Sequence, residues 1–382
     1  MRQVELLIKP VSHSCNLACG YCFYRKTEAM YPGKKHLMMP QTLDLLIRRA
    51  MEASAGGPCV FSWQGGEPSL AGVDFFRNAV ALQTRYGRPG QSVTNAFQTN
   101  ATLLSGVWAS FFRQYRVLVG VSLDGPEHRH DVYRRTTAGT GSYARVAAAV
   151  KLLRREKVEF NILATIGKDT VGNAEDLYLW YVGRGLRYLQ FIPAVDRRGG
   201  QLADFSVTPA AYGRFLRELF DAWWNKGSPL ASVRFFDNVL EALIGAVPSS
   251  CTMKESCGSY LVIEANGDAF PCDFFVMPEW KLGNIAQTPL EELYALAHRR
   301  FGALKAAAPA SCVACRWRFI CKNGCLWFRW VSRGDMGDVD YLCEAYQSFF
   351  SYAIERLEAL KEALVRDRLR GVPASVQENP KR

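Results

Sequence analysis

Three cysteines in the string SCNLACGYCFY, Cys15, Cys19 and Cys22, are spaced C-x3-C-x2-C. Three thiolates on one short loop can hold three corners of a 4Fe–4S cube. The fourth iron is then open to a ligand, unlike the usual four-cysteine arrangement. A zinc knuckle is the alternative, although zinc favours paired spacings and four closed ligands. Eight more cysteines crowd the second half, as Cys251-x5-Cys257-x14-Cys272, then Cys312-x2-Cys315-x5-Cys321-x3-Cys325, then Cys343. Eight make two sets of four, and the spacing fits two closed zinc sites as readily as two iron–sulfur sites. Cys59 precedes an apolar run and reads as a buried structural thiol. The five histidines, His13, His36, His128, His130 and His298, lack metal-ligand spacing and read as solvated.

Regular elements must position these residues. Through residue 230, short apolar runs (4–9, 60–63, 93–98, 117–123, 159–165, 188–192) alternate with longer amphipathic ones (41–53, 73–86, 106–114, 142–155, 174–184, 210–224). Each short run is bounded by Gly, Pro, Asn or Asp and predicts a strand. The fourth amphipathic run starts behind a Ser142 cap. Six strand–helix alternations predict an α/β fold around a parallel sheet, open or barrel-like. A barrel of this type gathers function at the C-terminal ends of its strands.

Several candidates sit at those ends. Gln64 closes the second strand and carries an amide that can both donate and accept. Gly65-Gly66-Glu67-Pro68 follows it. The glycines allow close backbone approach to a ligand, and Glu67 or backbone carbonyls can accept bonds from an ammonium group. Ser122 and Asp124 end the fourth strand, and Arg134, ten residues on, offers a fork for a carboxylate. A tight turn and a surface arginine remain the plain alternatives. Beyond residue 230 the segments shorten. A hairpin turns at Asn266-Gly267, a short helix covers 290–299, and Tyr346, Phe349, Phe350, Ile354, Leu357 and Leu360 form a packing stripe on a final helix. The polar tail 372–382 is expected to be disordered.

Composition narrows the class. The chain has 382 residues, 49% hydrophobic and 22% charged, which excludes a disordered, collagen-like or coiled-coil chain. Its length calls for two domains, or one barrel with an appendage. No run of 18 apolar residues predicts a membrane helix. Pro10 and polar neighbours interrupt any signal-peptide core, so the cytoplasm, where thiols stay reduced, is the expected compartment. The net charge is +11, but Arg134–Arg135, Arg154–Arg155 and Arg197–Arg198 are isolated pairs, so no nucleic-acid partner is expected. The loop 196–204 follows the last strand and could touch a substrate protein.

The cysteine loop, with Tyr21 before its third Cys, resembles the signature of radical S-adenosylmethionine (SAM) enzymes, and the eight later cysteines resemble the SPASM extension. More closely, the strings IKP…CNLACGYCFY, FSWQGGEPSLAG, QTN, SLDGP, VEFNIL, LQFI, PCDFF and LGNI together resemble anaerobic sulfatase-maturating enzymes, from about residue 4 to residue 360. The resemblance implies a partial (β/α)6 radical SAM barrel over 1–230, a SPASM domain over 231–360, and a helix end and tail over 361–382. It implies three 4Fe–4S clusters and SAM. Cys15, Cys19 and Cys22 hold the first cluster, Cys251, Cys257, Cys272 and Cys325 the second, and Cys312, Cys315, Cys321 and Cys343 the third. Tyr21, Gly65, Gly66, Glu67, Ser122, Asp124, Arg134 and Val195 surround SAM, and Tyr24 and Gln64 hold the substrate. These enzymes oxidise a Cys or Ser of a sulfatase to Cα-formylglycine.

By that resemblance a 5′-deoxyadenosyl radical takes a hydrogen atom from Cβ and Asp273 takes the thiol proton. A second electron leaves through an auxiliary cluster, and the thioaldehyde hydrolyses with loss of sulfide. The implied partners are an unfolded or nascent sulfatase bearing Cys/Ser-x-Pro-x-Arg and a flavodoxin- or ferredoxin-type electron donor, with the chain a monomer. Relatives that make thioether, carbon–carbon or epimerised products in ribosomal peptides are the alternative, and a two-zinc interaction module on a barrel is the non-enzyme one. Three clusters would carry about five negative charges, which offsets much of the basic excess.

Overall fold

A computed structural model describes residues 3–33 and 36–369. The predicted tail 372–382 lies outside the described residues. Six strands, β1 (Val4–Ile8), β2 (Cys59–Trp63), β3 (Val93–Thr99), β4 (Leu118–Ser122), β5 (Phe160–Ile166) and β6 (Tyr188–Pro193), pair in parallel in sequence order. Helices α1 (Pro40–Ser54), α2 (Val73–Tyr86), α3 (Gly106–Gln114), α4 (Glu127–Tyr133), α5 (Tyr143–Arg155), α6 (Ala174–Gly183) and α7 (Pro209–Trp224) supply the crossovers and their cover. Along β1 and β2 burial alternates, and Val4, Leu6, Ile8, Phe61 and Trp63 enter the main core. The period of two puts the intervening residues on the opposite face.

The sheet does not close. A two-residue hairpin, β7 (Arg197–Arg198) with β8 (Gln201–Leu202), follows β6, and β9 (Ser232–Val233) flanks β6. On the other edge β10 (Leu261–Ile263) lies parallel to β1, followed by the antiparallel β11 (Asp268–Phe270) and β12 (Gly283–Asn284). One ten-stranded sheet therefore runs from the Cys-rich region through the α/β region. The final helix, Cys343–Leu369, packs Phe349, Ala353 and Leu357 into the same core, as its apolar stripe predicts.

Two local expectations are corrected. Ser142 does not cap α5 through its hydroxyl. Asp131 Oδ1 does so, accepting from the N–H of Ser142 (2.9 Å) and of Tyr143 (3.0 Å). The predicted helix 290–299 is α-helical only over Leu290–Leu296 and then widens into a π-helical turn, Ala297–Gly302.

Candidate functional site

The cysteine loop leaves the C-terminal end of β1 and is held by its main chain. Ala18 N–H donates to Arg135 O (2.8 Å) and Gly20 N–H to Tyr133 O (3.0 Å), so the segment beyond α4 pairs with the loop. On the other side Gly66 N–H donates to Ser12 O (2.7 Å) and Glu67 N–H to Ser14 O (2.8 Å). These bonds explain the two glycines. A Cβ on Gly65, whose φ is +142°, would sit 2.8 Å from Ser12 O, and one on Gly66 would collide with Ser14 O. The close approach is thus to the cysteine loop itself.

Glu67 is fully buried and its carboxylate already accepts three hydrogen bonds. Oε1 accepts from Thr99 Oγ1 (2.7 Å) and Ser69 N–H (3.1 Å), and Oε2 from Asn100 N–H (2.7 Å).

Beside the loop lies a buried polar network. Tyr21 donates its hydroxyl to Asp124 Oδ2, which also receives Arg134 Nε (2.9 Å). Asp124 Oδ1 accepts from Thr165 N–H (2.9 Å), and Arg134 reaches Thr165 Oγ1 (3.4 Å). The two named contacts use two of the five N–H donors on the Arg134 guanidinium. His130 is no solvated residue. It is fully buried, accepts the Asp124 N–H at Nδ1 (3.2 Å) and meets Ser142 Oγ at Nε2 (3.0 Å). Burial depresses its pKa to about 4, so it is neutral at physiological pH. Ser122 Oγ accepts from Gln98 Nε2 (3.1 Å), a residue the sequence reading left unassigned. Val195 is buried, and its carbonyl accepts from Trp327 Nε1 (3.1 Å) on the helix Leu326–Arg333 of the Cys-rich region.

That region meets the same mouth. Phe23 packs on Phe274 with ring centroids 4.5 Å apart, and Lys26 Nζ donates to Phe274 O (2.9 Å). Tyr24 is buried, bonds its hydroxyl to Glu264 Oε1 and carries Lys9 Nζ 4.4 Å from its ring centroid. Asp273 Oδ1 accepts from Tyr260 OH (3.3 Å) beside Cys272 Sγ (3.8 Å). Gln64 stands half-buried at the end of β2. Arg197, in contrast, donates to Val331 O (3.2 Å) and Ser332 O (3.3 Å), so the loop 196–204 binds the chain's own Cys-rich region.

The thiols fall into three groups. Cys15 lies near Cys19 and Cys22. Cys272 lies near Cys325, Cys257 and Cys251. Cys312, Cys315, Cys321 and Cys343 line one cavity. Burial pushes Cys15 and Cys321 up to about 12 and Cys19, Cys257 and Cys343 up to about 11. Buried thiols of this kind ionise only beside a cationic centre, so the donor sets fit metal clusters. Among the described residues no three His, Cys, Asp or Glu groups are gathered for a single ion. Cys59 stands apart, buried, with Sγ against Ala50 O (3.6 Å).

Comparison with known proteins decides the family. The radical SAM superfamily model matches residues 10–180, and a model of an iron–sulfur cluster-binding domain (SPASM) matches residues 251–316. The cysteine-type anaerobic sulfatase-maturating enzyme of Clostridium perfringens strain ATCC 13124 is 34% identical over 365 residues, 94% of this chain and 98% of that one. The serine-type enzyme of Bacteroides thetaiotaomicron is 34% identical, covering 95% and 92%. The chain belongs to the anaerobic sulfatase-maturating enzymes.

As a member of that family it is a radical SAM oxidoreductase with iron–sulfur cofactors. The solved structure of native anSMEcpe with bound AdoMet and Cp18Cys peptide superposes with a TM-score of 0.88 at 34% identity, covering 95% of this chain and 99% of that one. SuiB of Streptococcus suis, bound to its precursor peptide SuiA, shares only the fold, at 15% identity, a TM-score of 0.63, and 89% and 75% coverage. The two-zinc module is excluded by family membership. No helix among the described residues is long and apolar enough to cross a membrane.

Proposed function

We propose that this chain oxidises a Cys or Ser side chain of an unfolded or nascent sulfatase to Cα-formylglycine, with Asp273 as the proton acceptor. One observation carries the reading. The turn that follows the three-cysteine loop packs on the Cys-rich region directly beside Asp273, through Phe23 on Phe274 and Lys26 on Phe274 O, while the Gly65–Gly66 turn closes on the loop itself. Cys15, Cys19 and Cys22 would hold the cluster that leaves one iron open. Cys251, Cys257, Cys272 and Cys325 would hold a second, and Cys312, Cys315, Cys321 and Cys343 a third. When bound, the first cluster and SAM supply a carbon radical that removes one hydrogen atom from the substrate Cβ.

The residues' own work is positioning and proton transfer. Gly65 and Gly66 carbonyls accept the SAM ammonium, and Arg134 uses its remaining donors on the SAM carboxylate. Ser122 and Asp124 take ribose hydroxyls, with Tyr21 and His130 fixing Asp124. Val195 walls the adenosyl group. Tyr24 and Gln64 hold the peptide, and Asp273, braced by Tyr260, takes the proton from the target thiol or hydroxyl. A flavodoxin- or ferredoxin-type protein supplies electrons, and the chain works as a cytoplasmic monomer.

The test incubates anaerobically reconstituted enzyme, SAM and reductant with peptides bearing Cys-x-Pro-x-Arg or Ser-x-Pro-x-Arg, read by mass spectrometry. Loss of sulfide or two hydrogens with gain of the aldehyde is expected. SAM cleavage without aldehyde on either peptide refutes the reading. Asp273→Asn should lower aldehyde formation about 10²–10⁴-fold while iron and sulfide per chain stay unchanged. Full activity would remove Asp273 as the base.

A further inference from the structure

Lys9 is fully buried, and its Nζ has no hydrogen-bond partner. Ser12 and Glu264, whose side chains lie within reach of each other, are also buried where the chain leaves β1 and β10. The ladder continues one residue past the strands. Lys9 N–H donates to Ile263 O (2.8 Å) and Gln64 N–H to Ile8 O (2.9 Å). Extending the register Ile8↔Ile263, Ile8↔Trp63 and Trp63↔Phe97 by one places Glu264, Lys9, Gln64 and Gln98 in a single row across four neighbouring strands. Ile8, Ile263, Trp63 and Phe97 are buried in the main core. By alternation the row faces the other side of the sheet, where Tyr24 lies against Lys9.

The row holds an acceptor, a cation and two amides that both donate and accept, which is the pattern an extended peptide backbone can meet. The titratable groups facing Lys9 are Asp273 first, then Glu264, Cys272 and Cys22. None of them bonds it. A buried ammonium carries three N–H donors, and leaving them without an acceptor is costly; the Tyr24 ring face offsets only part of that cost. An acceptor from outside the chain completes the site. In the reaction proposed above the target thiol or hydroxyl lies at Asp273, so the peptide oxygens left for Lys9 are backbone carbonyls.

We propose that Lys9 is a substrate-binding residue whose ammonium donates to a backbone carbonyl of the bound peptide next to the residue being oxidised, with Gln64 and Gln98 extending the same polar row. The proposal rests on the peptide oxidation argued above and adds the residue that sets the register of the peptide over Asp273.

The experiment measures binding of a fluorescent Cys-x-Pro-x-Arg peptide to SAM-loaded holoenzyme by anisotropy, beside kcat and KM for aldehyde formation. Lys9→Met should raise Kd and KM together by about 10- to 100-fold, the range for a hydrogen bond to a charged group, with kcat changed less than about threefold. Iron content reports whether the variant is intact. A second arm leaves the protein alone and replaces single carbonyls of the peptide by thiocarbonyls, one position at a time around the target. One position should weaken binding to the wild type and cause no further loss with Lys9→Met. Kd and KM within about twofold of wild type in iron-replete Lys9→Met overturn the proposal. So does a thiocarbonyl series that binds uniformly. If the wild type makes no aldehyde, the family-level reading fails instead, which is a separate outcome.

Discussion

Cys15, Cys19 and Cys22 sit on a loop laced by four main-chain hydrogen bonds to the segments around Arg134 and Gly66. Of the cysteines beyond residue 250, Cys251, Cys312 and Cys321 sit on single helical turns, Cys251–Met253, Ala310–Val313 and Arg318–Cys321. What braces that region is charge. Lys305 is fully buried and donates to Cys251 O (2.8 Å) and Thr252 O (2.9 Å). Arg329, also fully buried, bonds the carbonyls of Asn323, Leu304, Ala307, Met336 and Lys305. Arg329 also feels Cys312 on one side and Cys257 and Cys325 on the other, so one guanidinium stands between both thiol groups. A loop anchored in a regular sheet keeps its shape through backbone geometry. A region of short turns around ionised sulfur needs internal cations to offset the charge it buries.

The largest way to break this contrast is Arg329→Leu. Five carbonyls lose their partner, and the variant should lose about 3–5 kcal/mol, read as a melting temperature lower by roughly 4–6 °C. An unchanged melt would show that the clusters alone shape the region. In the sheet-anchored half, Tyr21→Phe removes one hydrogen bond to a carboxylate that keeps Arg134 and Thr165, so about 1.5–3 kcal/mol is expected. Faster amide exchange should be confined to the loop and the segment beyond α4; exchange spreading through the Cys-rich region would blur the contrast.

The smallest effect is a pH dependence. His130 has a folded pKa of about 4 against 6.5 unfolded, with Asp124, Arg134 and Asp131 as its charged neighbours. The unfolded chain therefore binds the proton first, and this stability is present above pH 6.5 and lost as pH falls toward 4. Between pH 7.5 and 5.5 the wild type should lose about 1 kcal/mol more than His130→Asn, measured by thermal melts at each pH.

The six parallel strands and six of the helices that join them were legible in the sequence because each strand is a short apolar run closed by a breaker, whereas α4, with polar residues on most of its length, was not. Positions at strand ends were legible too. Their bonding was not. Glu67 looked free to bind a ligand, yet its three acceptor contacts come from Ser69, Thr99 and Asn100, distances no local pattern encodes. His130 looked solvated because polar neighbours surround it in sequence, while in space it lies between Asp124 and Ser142. Lys9 and Glu264 gave only a weak sign, a charge directly after an apolar strand. Their adjacency depends on a parallel pairing between residues about 250 apart, which leaves no periodic trace.

That pairing has a consequence in time. During synthesis β1 emerges first, but its outer neighbour β10 emerges only after residue 263. The partners that lace the cysteine loop, Ser12 to Gly20 with Tyr133, Arg135 and Gly66, have all been made just over a third of the way through translation. The polar row that includes Lys9, and the Glu264 contact that holds Tyr24, can form only later. The order of synthesis therefore completes the lacing of the cysteine loop before the polar row around Lys9, and a chain stalled near residue 230 should already carry the first without the second.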